Sequence, residues 1–334
     1  MYSSLIRLRP TAPWRIGPDS GDRDRVDRVF HSDALYGAVT SAMERLGHLE
    51  EWLDATARVE SAPAVRFSSC FPFLGNELYV VPPRHVWPPP ASTKVRWKTA
   101  RFVPLSVVET LLSGQNLNED AWTVDAASEC LLPSSAAPGS GLFRASVRSA
   151  AAMDRSGEGV FGHSTACLEF TPGSGLWFVA SYENEEARDS WSQRVRGAIR
   201  LLADSGFGGE RSQGWGRTEM PEFRNGELSA LLFKRKEALA GETGYWMLSL
   251  FLPDAADQID WQRGNYHLTT RSGRVESTGD TKLASRMVSE GSVLVASTGP
   301  RGSVANVAPE GFPHPVYRAG YALSLPVPLR PVNS

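Results

Sequence analysis

Gly206-Phe207-Gly208-Gly209-Glu210-Arg211-Ser212-Gln213-Gly214-Trp215-Gly216-Arg217 follows directly on Glu185 to Ala203, where Ala187, Trp191, Val195, Ala198, Ile199 and Leu202 recur every three or four positions. That spacing predicts an amphipathic helix, with Glu185 and Glu186 complementing the dipole at its first turn. Five glycines in twelve positions let the following loop adopt positive φ and come close to another molecule, while Arg211 and Arg217 supply cationic donors. A loop of this make-up suits a polyanion. It also suits a tight helix-to-strand connection, and composition does not separate the two.

Spacing removes two nucleotide motifs. Gly209 and Gly214 have the glycine interval of a P-loop, but Trp215 and Gly216 stand where Lys and Ser/Thr would bind the γ-phosphate and magnesium. A dinucleotide fingerprint needs a strand before its glycines, whereas here the helix comes first.

Outward from this junction, Thr165 to Phe170 and Leu176 to Ala180 flank Pro172-Gly173-Ser174-Gly175 and read as a β-hairpin, and a strand is expected near Thr218 to Phe223. Near the N-terminus, Ser4 to Arg9 alternates as a strand. At His31-Ser32-Asp33 a helix opens with Ser32 or Asp33 as its cap, and Leu35, Val39, Ala42, Met43, Leu46, Leu49 and Leu53 form its apolar stripe. Gly37 interrupts that stripe and predicts close packing against a sheet or a ligand. Residues 62–163, with prolines at 82–83 and 88–90 and a short helical pattern over Leu105 to Leu112, read as an insertion. The order is βαββαβ, the ferredoxin-like (RRM-like) arrangement. A second unit opens on the apolar run Tyr245 to Phe251. Its further strands are expected near Tyr266–Thr270, Ser292–Ala296 and Val316–Leu325, with one helical signal over Lys282 to Glu290. The fold class is therefore α+β, with two domains, 1–240 and 241–334, the second degenerate and β-rich.

The 334 residues carry a formal charge of -2, which excludes a uniformly basic nucleic-acid binder and confines any RNA contact to local patches. One such patch is visible. Between Glu77 and Glu109 there are no acids, but Arg84, Lys94, Arg96, Lys98 and Arg101 alternate with Trp87, Trp97 and Phe102. In an extended segment, Lys94, Arg96 and Lys98 would share one face and track a phosphate backbone, or form a solvated edge strand. Cys70, Cys130 and Cys167 lack any C-x-x-C pairing and read as buried thiols. The six histidines show no metal-binding spacing, and Asp19, Asp22, Asp24 and Asp27 alternate with arginines in what reads as a solvated loop. No cofactor or metal is expected. Neither a signal-peptide run nor a membrane-length segment occurs, so a cytoplasmic protein with no membrane partner is expected.

A ferredoxin-like unit with a glycine-rich loop between its last helix and last strand resembles the RAMP superfamily of CRISPR-Cas proteins. His31-Ser32-Asp33-Ala34-Leu35-Tyr36-Gly37-Ala38 resembles the first-helix motif of the Csm-type (type III-A) subunit that caps the 5′ end of the guide RNA. Phe67 to Phe73 resembles the segment that follows it there, Ala152 to Gly157 that subunit's Ile-Asp-Arg-Thr-Gly stretch, and Val316 to Tyr321 its C-terminal signature. The resemblance implies a noncatalytic RNA-binding subunit with two ferredoxin-like domains that hold the crRNA 5′ handle. It implies docking to a large palm-domain effector subunit and a neighbouring backbone RAMP subunit, and a thumb hairpin that disrupts the guide–target RNA duplex near its end. On this chain the thumb falls at 142–162, with Arg144 and Arg148 on one strand face, Met153 as a wedge and Arg155 beside it. In the glycine loop, Gly208, Gly209, Gly214 and Gly216 would open backbone N–H groups to phosphate, Arg211, Arg217 and Ser212 would contact it, and Trp215 would stack on a base or pack in the core. His31 and Ser32 complete the implied RNA-binding set. Two alternatives stay open: a RAMP endoribonuclease with His31 as acid/base and Tyr36 nearby, and the equivalent subunit of a Cmr-type complex.

Overall fold

The computed structural model describes residues 2–18, 20–60, 62–89, 92, 94–137, 139–153, 160–233, 242–275 and 278–329, with side chains at 152, 153, 160 and 161 left aside. In chain order the first part runs β1 (Tyr2–Leu8), α1 (Ser32–Arg45), α2 (Leu49–Thr56), β2 (Val65–Phe67), β3 (Phe71–Leu74), β4 (Glu77–Val80), β5 (Val103–Pro104) and α3 (Leu105–Leu112). It continues with β6 (Trp122–Asp125), β7 (Cys130–Pro133), β8 (Phe143–Met153), β9 (Val160–Phe170), β10 (Ser174–Tyr182), α4 (Glu185–Ser205), β11 (Glu222–Glu227) and α5 (Leu228–Leu232).

The main sheet has the order β11-β1-β10-β3-β4-β5, with β2 also paired to β10, and all its pairings are antiparallel. Every residue of β10 is buried, as expected of a strand covered on both faces and paired on both edges. Helices α1 and α4 pack on each other, and α4 lies against β1 and β10. The expected helix over 185–203 is present as α4, capped by Asn184, whose side-chain oxygen accepts from the Ala187 N–H at 2.8 Å.

The expected β-hairpin at 165–180 is not formed. Both strands exist, but β9 pairs with β8 in a separate ribbon and β10 enters the main sheet. The Pro-Gly turn is a corner between layers: Thr171 N–H and the Ser174 hydroxyl both donate to the Leu142 carbonyl, at 3.0 and 2.6 Å. The last strand also starts later than expected, at Glu222, because Thr218 is spent on a bridge to Pro10. The first helix ends at Arg45, and Gly47 at φ +76° turns the chain, so Leu49 and Leu53 belong to α2. Its cap is His31 without a side-chain bond, because Ser32 and Asp33 are engaged elsewhere. Nothing crowds Gly37: a Cβ there would meet no atom within 4 Å.

The second part adds β12 (Thr243–Met247), β13 (Ile259–Asn265), β14 (Leu268–Arg271), β15 (Ser285–Val288), β16 (Val293–Ala296), β17 (Gly302–Asn306), β18 (Tyr317–Tyr321) and β19 (Ser324–Pro328). They form a four-stranded sheet, β13-β16-β12-β19, and two ribbons, β14-β15 and β17-β18. The helical signal over 282–290 is instead strand β15, held by β14 through Thr270 opposite Arg286. A mixed α+β fold with several small sheets is therefore correct at the coarse level. Trp246, Leu248, Leu323 and Leu325 join the same apolar core as Ile6, Leu35 and Phe178, so burial is continuous across both parts.

Candidate nucleic-acid interface

Segment 13–15 ties the glycine loop to the β8-β9 ribbon. Trp14 exchanges backbone bonds with Leu168 of β9, at 2.9 and 2.7 Å. The Gly209 N–H donates to the Arg15 carbonyl at 2.9 Å, and the Gly216 N–H to the Pro13 carbonyl at 2.8 Å. Trp14 stacks on Phe207 with ring centroids 5.2 Å apart, which anchors the loop from below. The Arg15 guanidinium is spent entirely on structure, donating to the carbonyls of Asp22, Arg23, Arg25 and Ala166.

This wiring changes the reading of the glycines. At Gly208, φ +73°, a Cβ would fall onto the Arg15 carbonyl, and at Gly216, φ +77°, onto the Phe207 carbonyl. These positions need glycine because the loop is packed against its own chain. The N–H groups of Gly209, Gly214 and Gly216 already donate to the carbonyls of Arg15, Arg211 and Pro13, so they are not open to phosphate as expected. The outer rim remains outward: Ser212 and Arg217 are exposed, while Arg211 and Trp215 are half-buried.

The β8-β9 ribbon presents one face to this rim. Antiparallel register sets Arg144 opposite Glu169, Arg148 opposite Thr165 and Ala150 opposite His163, so these side chains share one face. Arg144 donates to Glu169 at 3.0 and 3.1 Å, and Arg148 donates to its other carboxylate oxygen. Burial would raise the Glu169 pKa, but hydrogen bonds from Arg144, Ser146 and Arg148 outweigh it and hold the carboxyl below its usual range. Between this face and the loop opens a cleft of about 370 Å³, lined by Pro13, Arg148, His163, Thr165, Gln213 and Trp215 among others. Met153 shows only its backbone, and Arg155, with the rest of 154–157, lies outside the described residues.

Other residues of the expected set stand apart. Val95–Thr99 is a 3-10 helix, not an extended segment, so Lys94, Arg96 and Lys98 point in different directions, and Lys94 is ion-paired with Asp120 at 2.8 Å. Its Trp97 is buried and stacks on Trp87 at 5.2 Å.

His31, Ser32 and Asp33 each bond to the second part of the chain. His31 is 7% exposed, with Nδ1 2.7 Å from Glu290 Oε1 and Nε2 3.2 Å from Asp27 Oδ2. Asp27 therefore does not lie in a solvated loop. Ser69 also donates to Glu290. Burial alone would lower the His31 pKa, but Glu290 and the hydrogen bonds to both carboxylates push it up to about 9. The Ser32 hydroxyl accepts from the Leu250 N–H at 3.0 Å. Asp33 takes a two-pronged contact from Arg271, at 3.0 and 3.1 Å, with Arg318 Nε at 3.5 Å. The Tyr36 hydroxyl is buried against Thr56 Oγ1 at 2.9 Å, and burial pushes it up to about 12. Both His31 ring nitrogens are thus engaged by carboxylates, and Ser32 is buried with its hydroxyl oxygen and backbone N–H in use.

Sequence reasoning missed segment 13–15, His163, Gln213 and the Asp33–Arg271 pair; a Pro-Trp-Arg run and lone polar residues carry no motif to find them by. The three cysteines are buried as expected, and burial raises Cys70 and Cys130. Among the described residues no helix is long and apolar enough to cross a membrane, and no cluster of three or more His, Cys, Asp or Glu could hold a metal ion.

Residues 241–327 match the family model described as the CRISPR Csm4 C-terminal domain. No curated protein sequence matches the chain. Among solved structures, the Csm3-Csm4 subcomplex of the type III-A CRISPR-Cas interference complex contains a similar chain, with TM-score 0.66, 15% identity and coverage of 98% of this chain and 100% of that one. A chain of the Csm1-Csm4 cassette in complex with pppApA is similar at TM-score 0.59 and 18% identity, with 99% of each chain covered. The same cassette in complex with cA4 gives TM-score 0.59 and 19% identity, covering 99% of this chain and all of that one, 100%.

Proposed function

We propose that this chain is a type III-A Csm4-type RAMP subunit, a reading supported by its C-terminal family match and its fold, and that it is the RNA-binding subunit that seats the crRNA 5′ handle in its effector complex. The observation that carries the reading is the convergence of Arg148, Gln213 and Trp215 on one cleft, with Arg217 exposed on the same loop. Phosphate-seeking guanidiniums, an accessible indole face and hydrogen-bonding side chains are the groups that a single RNA strand requires. The β8-β9 ribbon serves as the thumb near the guide–target duplex, and extends beyond the expected 142–162 to Phe170.

The sheet order β11-β1-β10-β3, with α1 and α4 on it, supports the ferredoxin-like reading of residues 1–240, in which 62–163 includes the insertion. Residues 241–334 form the degenerate, β-rich counterpart. Because the similar chains come from Csm1-Csm4 and Csm3-Csm4 assemblies, this subunit docks a large palm-domain subunit on one side and a backbone RAMP subunit on the other. Its place of action is the cytoplasm, on RNA.

The reading is noncatalytic. A general base must reach the 2′-hydroxyl it deprotonates, but both His31 ring nitrogens face carboxylates and Tyr36 is buried. Incubation with repeat RNA without metal tests this directly. The RNA stays bound and intact; site-specific cleavage lost in His31→Ala would overturn the reading.

A further inference from the structure

Every position of the glycine loop held at positive φ is a glycine but one. Gly206, Gly208, Gly214 and Gly216 take that conformation without strain, whereas Glu210, at φ 58°, carries a Cβ into the left-handed region. Glu210 is also the only acid between Gly206 and Arg217, next to the cleft proposed to seat RNA. A carboxylate there costs strain and repels phosphate, two penalties that a glycine at the same place would avoid.

Its side chain bridges the two walls of that cleft. One oxygen accepts from Arg23 Nη2 at 3.0 Å and the other from Gln213 Nε2 at 2.7 Å. Arg23 is fixed to the ribbon side, because its carbonyl accepts from the Ala166 N–H of β9 at 2.8 Å and from Arg15 Nη1 at 3.0 Å. Gln213 closes the single 3-10 turn Arg211–Gln213, which lies between left-handed Glu210 and left-handed Gly214. So short a turn has weak hydrogen-bond geometry of its own. The carboxylate therefore ties the ribbon side to the turn that carries Gln213 and leads to Trp215, both facing Arg148 and His163 across the cleft.

We infer that Glu210 is a positioning residue for the RNA seat: bridged between Arg23 and Gln213, it holds the turn 211–213 and the Trp215 rim at a set distance from the β8-β9 ribbon without touching RNA. The inference rests on the RNA-binding reading above and makes the sign of one substitution diagnostic. If charge alone mattered, removing this carboxylate would tighten RNA binding. If it positions the rim, removal weakens binding.

The test uses the full chain, freed of nucleic acid, and an end-labelled, random-sequence single-stranded RNA of about ten nucleotides, within the site sizes of single-strand binders. Affinity and its salt dependence are followed by polarisation well below the unfolding midpoint, so that stability does not enter the reading. Glu210→Gly, which relieves the strain, should bind roughly 5- to 150-fold more weakly, the range of one lost base stack. Its slope of log K against log salt should fall by about 0.7, that of one phosphate contact, although the substitution removes no cation. Glu210→Gln keeps the side chain's shape but has one acceptor for two donors, and should fall between wild type and Glu210→Gly. Arg23→Ala should weaken the wild type and cost less in the Glu210→Gly background, where the bridge is already gone. Binding by either Glu210 variant equal to or tighter than wild type overturns the positioning role while sparing the RNA-binding reading. An equal cost of Arg23→Ala in both backgrounds overturns the bridge, since Arg23 then acts on RNA by itself. Failure of the wild-type chain to bind the RNA overturns both.

Discussion

His31 Nδ1 lies 2.7 Å from Glu290 Oε1, joining residues 259 apart in sequence at the seam between α1 and the second part of the chain. Asp27 closes on the other ring nitrogen, so a protonated imidazole sits between two carboxylates.

That cluster makes stability fall on the alkaline side. The His31 pKa is raised from 6.5 to about 9, so its contribution is complete below about pH 6.5 and is lost as pH rises through about 9. Thermal unfolding followed from about pH 6 to pH 10 should show the midpoint decline over that window. Glu290→Gln should lower the neutral-pH midpoint and flatten the decline. A wild-type midpoint constant across the window would refute the assignment.

Asp33 faces Arg271 and Arg318 with all three side chains buried. Asp33→Asn removes the charge that compensates two desolvated guanidiniums and should cost about 3–5 kcal/mol in urea denaturation. A loss below about 1 kcal/mol, the scale of an exposed pair, would mean that water reaches the cluster.

Two glycine substitutions should move in opposite directions. Gly37→Ala fills open space in a helix interior and should stabilise by about 0.5–1 kcal/mol. Gly216→Ala meets both a positive φ and the Phe207 carbonyl, so it should destabilise by more than the ~1–3 kcal/mol of left-handed strain alone. Equal effects would show that the loop is not packed as described.

Phosphate contact is read from salt dependence. Arg148→Ala and Arg217→Ala should each weaken RNA binding and reduce the slope of log K against log salt by about 0.7 per lost single-strand contact. Lys94→Ala, at a residue ion-paired to Asp120, should change the slope less. A larger loss at Lys94 than at Arg148 would move the backbone track to the 3-10 helix.

Helix α4, α3 and the apolar start of β12 were legible because period and length carry them without tertiary help. The β8 strand was legible only through the family resemblance, since Arg144 to Met153 is rich in Ala and Ser and holds a single β-branched residue, Val147. Its partner Thr165–Phe170 was therefore joined to the wrong neighbour across a turn whose local chemistry suits a hairpin. Lys94, Arg96 and Lys98 failed for a related reason: alternation shares a face only if the backbone is extended, and buried Trp97 sets a tighter helix instead. The His31-Ser32-Asp33 run was visible as a motif, but its partners Glu290, Leu250 and Arg271 lie more than two hundred residues away. Local sequence marks such a site without saying which surface it faces. The glycine loop divides the same way: Trp215 and Arg217 stand on the rim, while Gly208 and Gly216 answer to the chain's own packing.

Photocrosslinking of RNA to the intact, RNA-bound assembly, with the modified peptides located by mass spectrometry, tests the central claim most directly. The account predicts crosslinks within 143–153 and 206–217, Trp215 among them, to nucleotides of the 5′ handle. Handle crosslinks confined to segments outside both, with 206–217 unmodified, would contradict it.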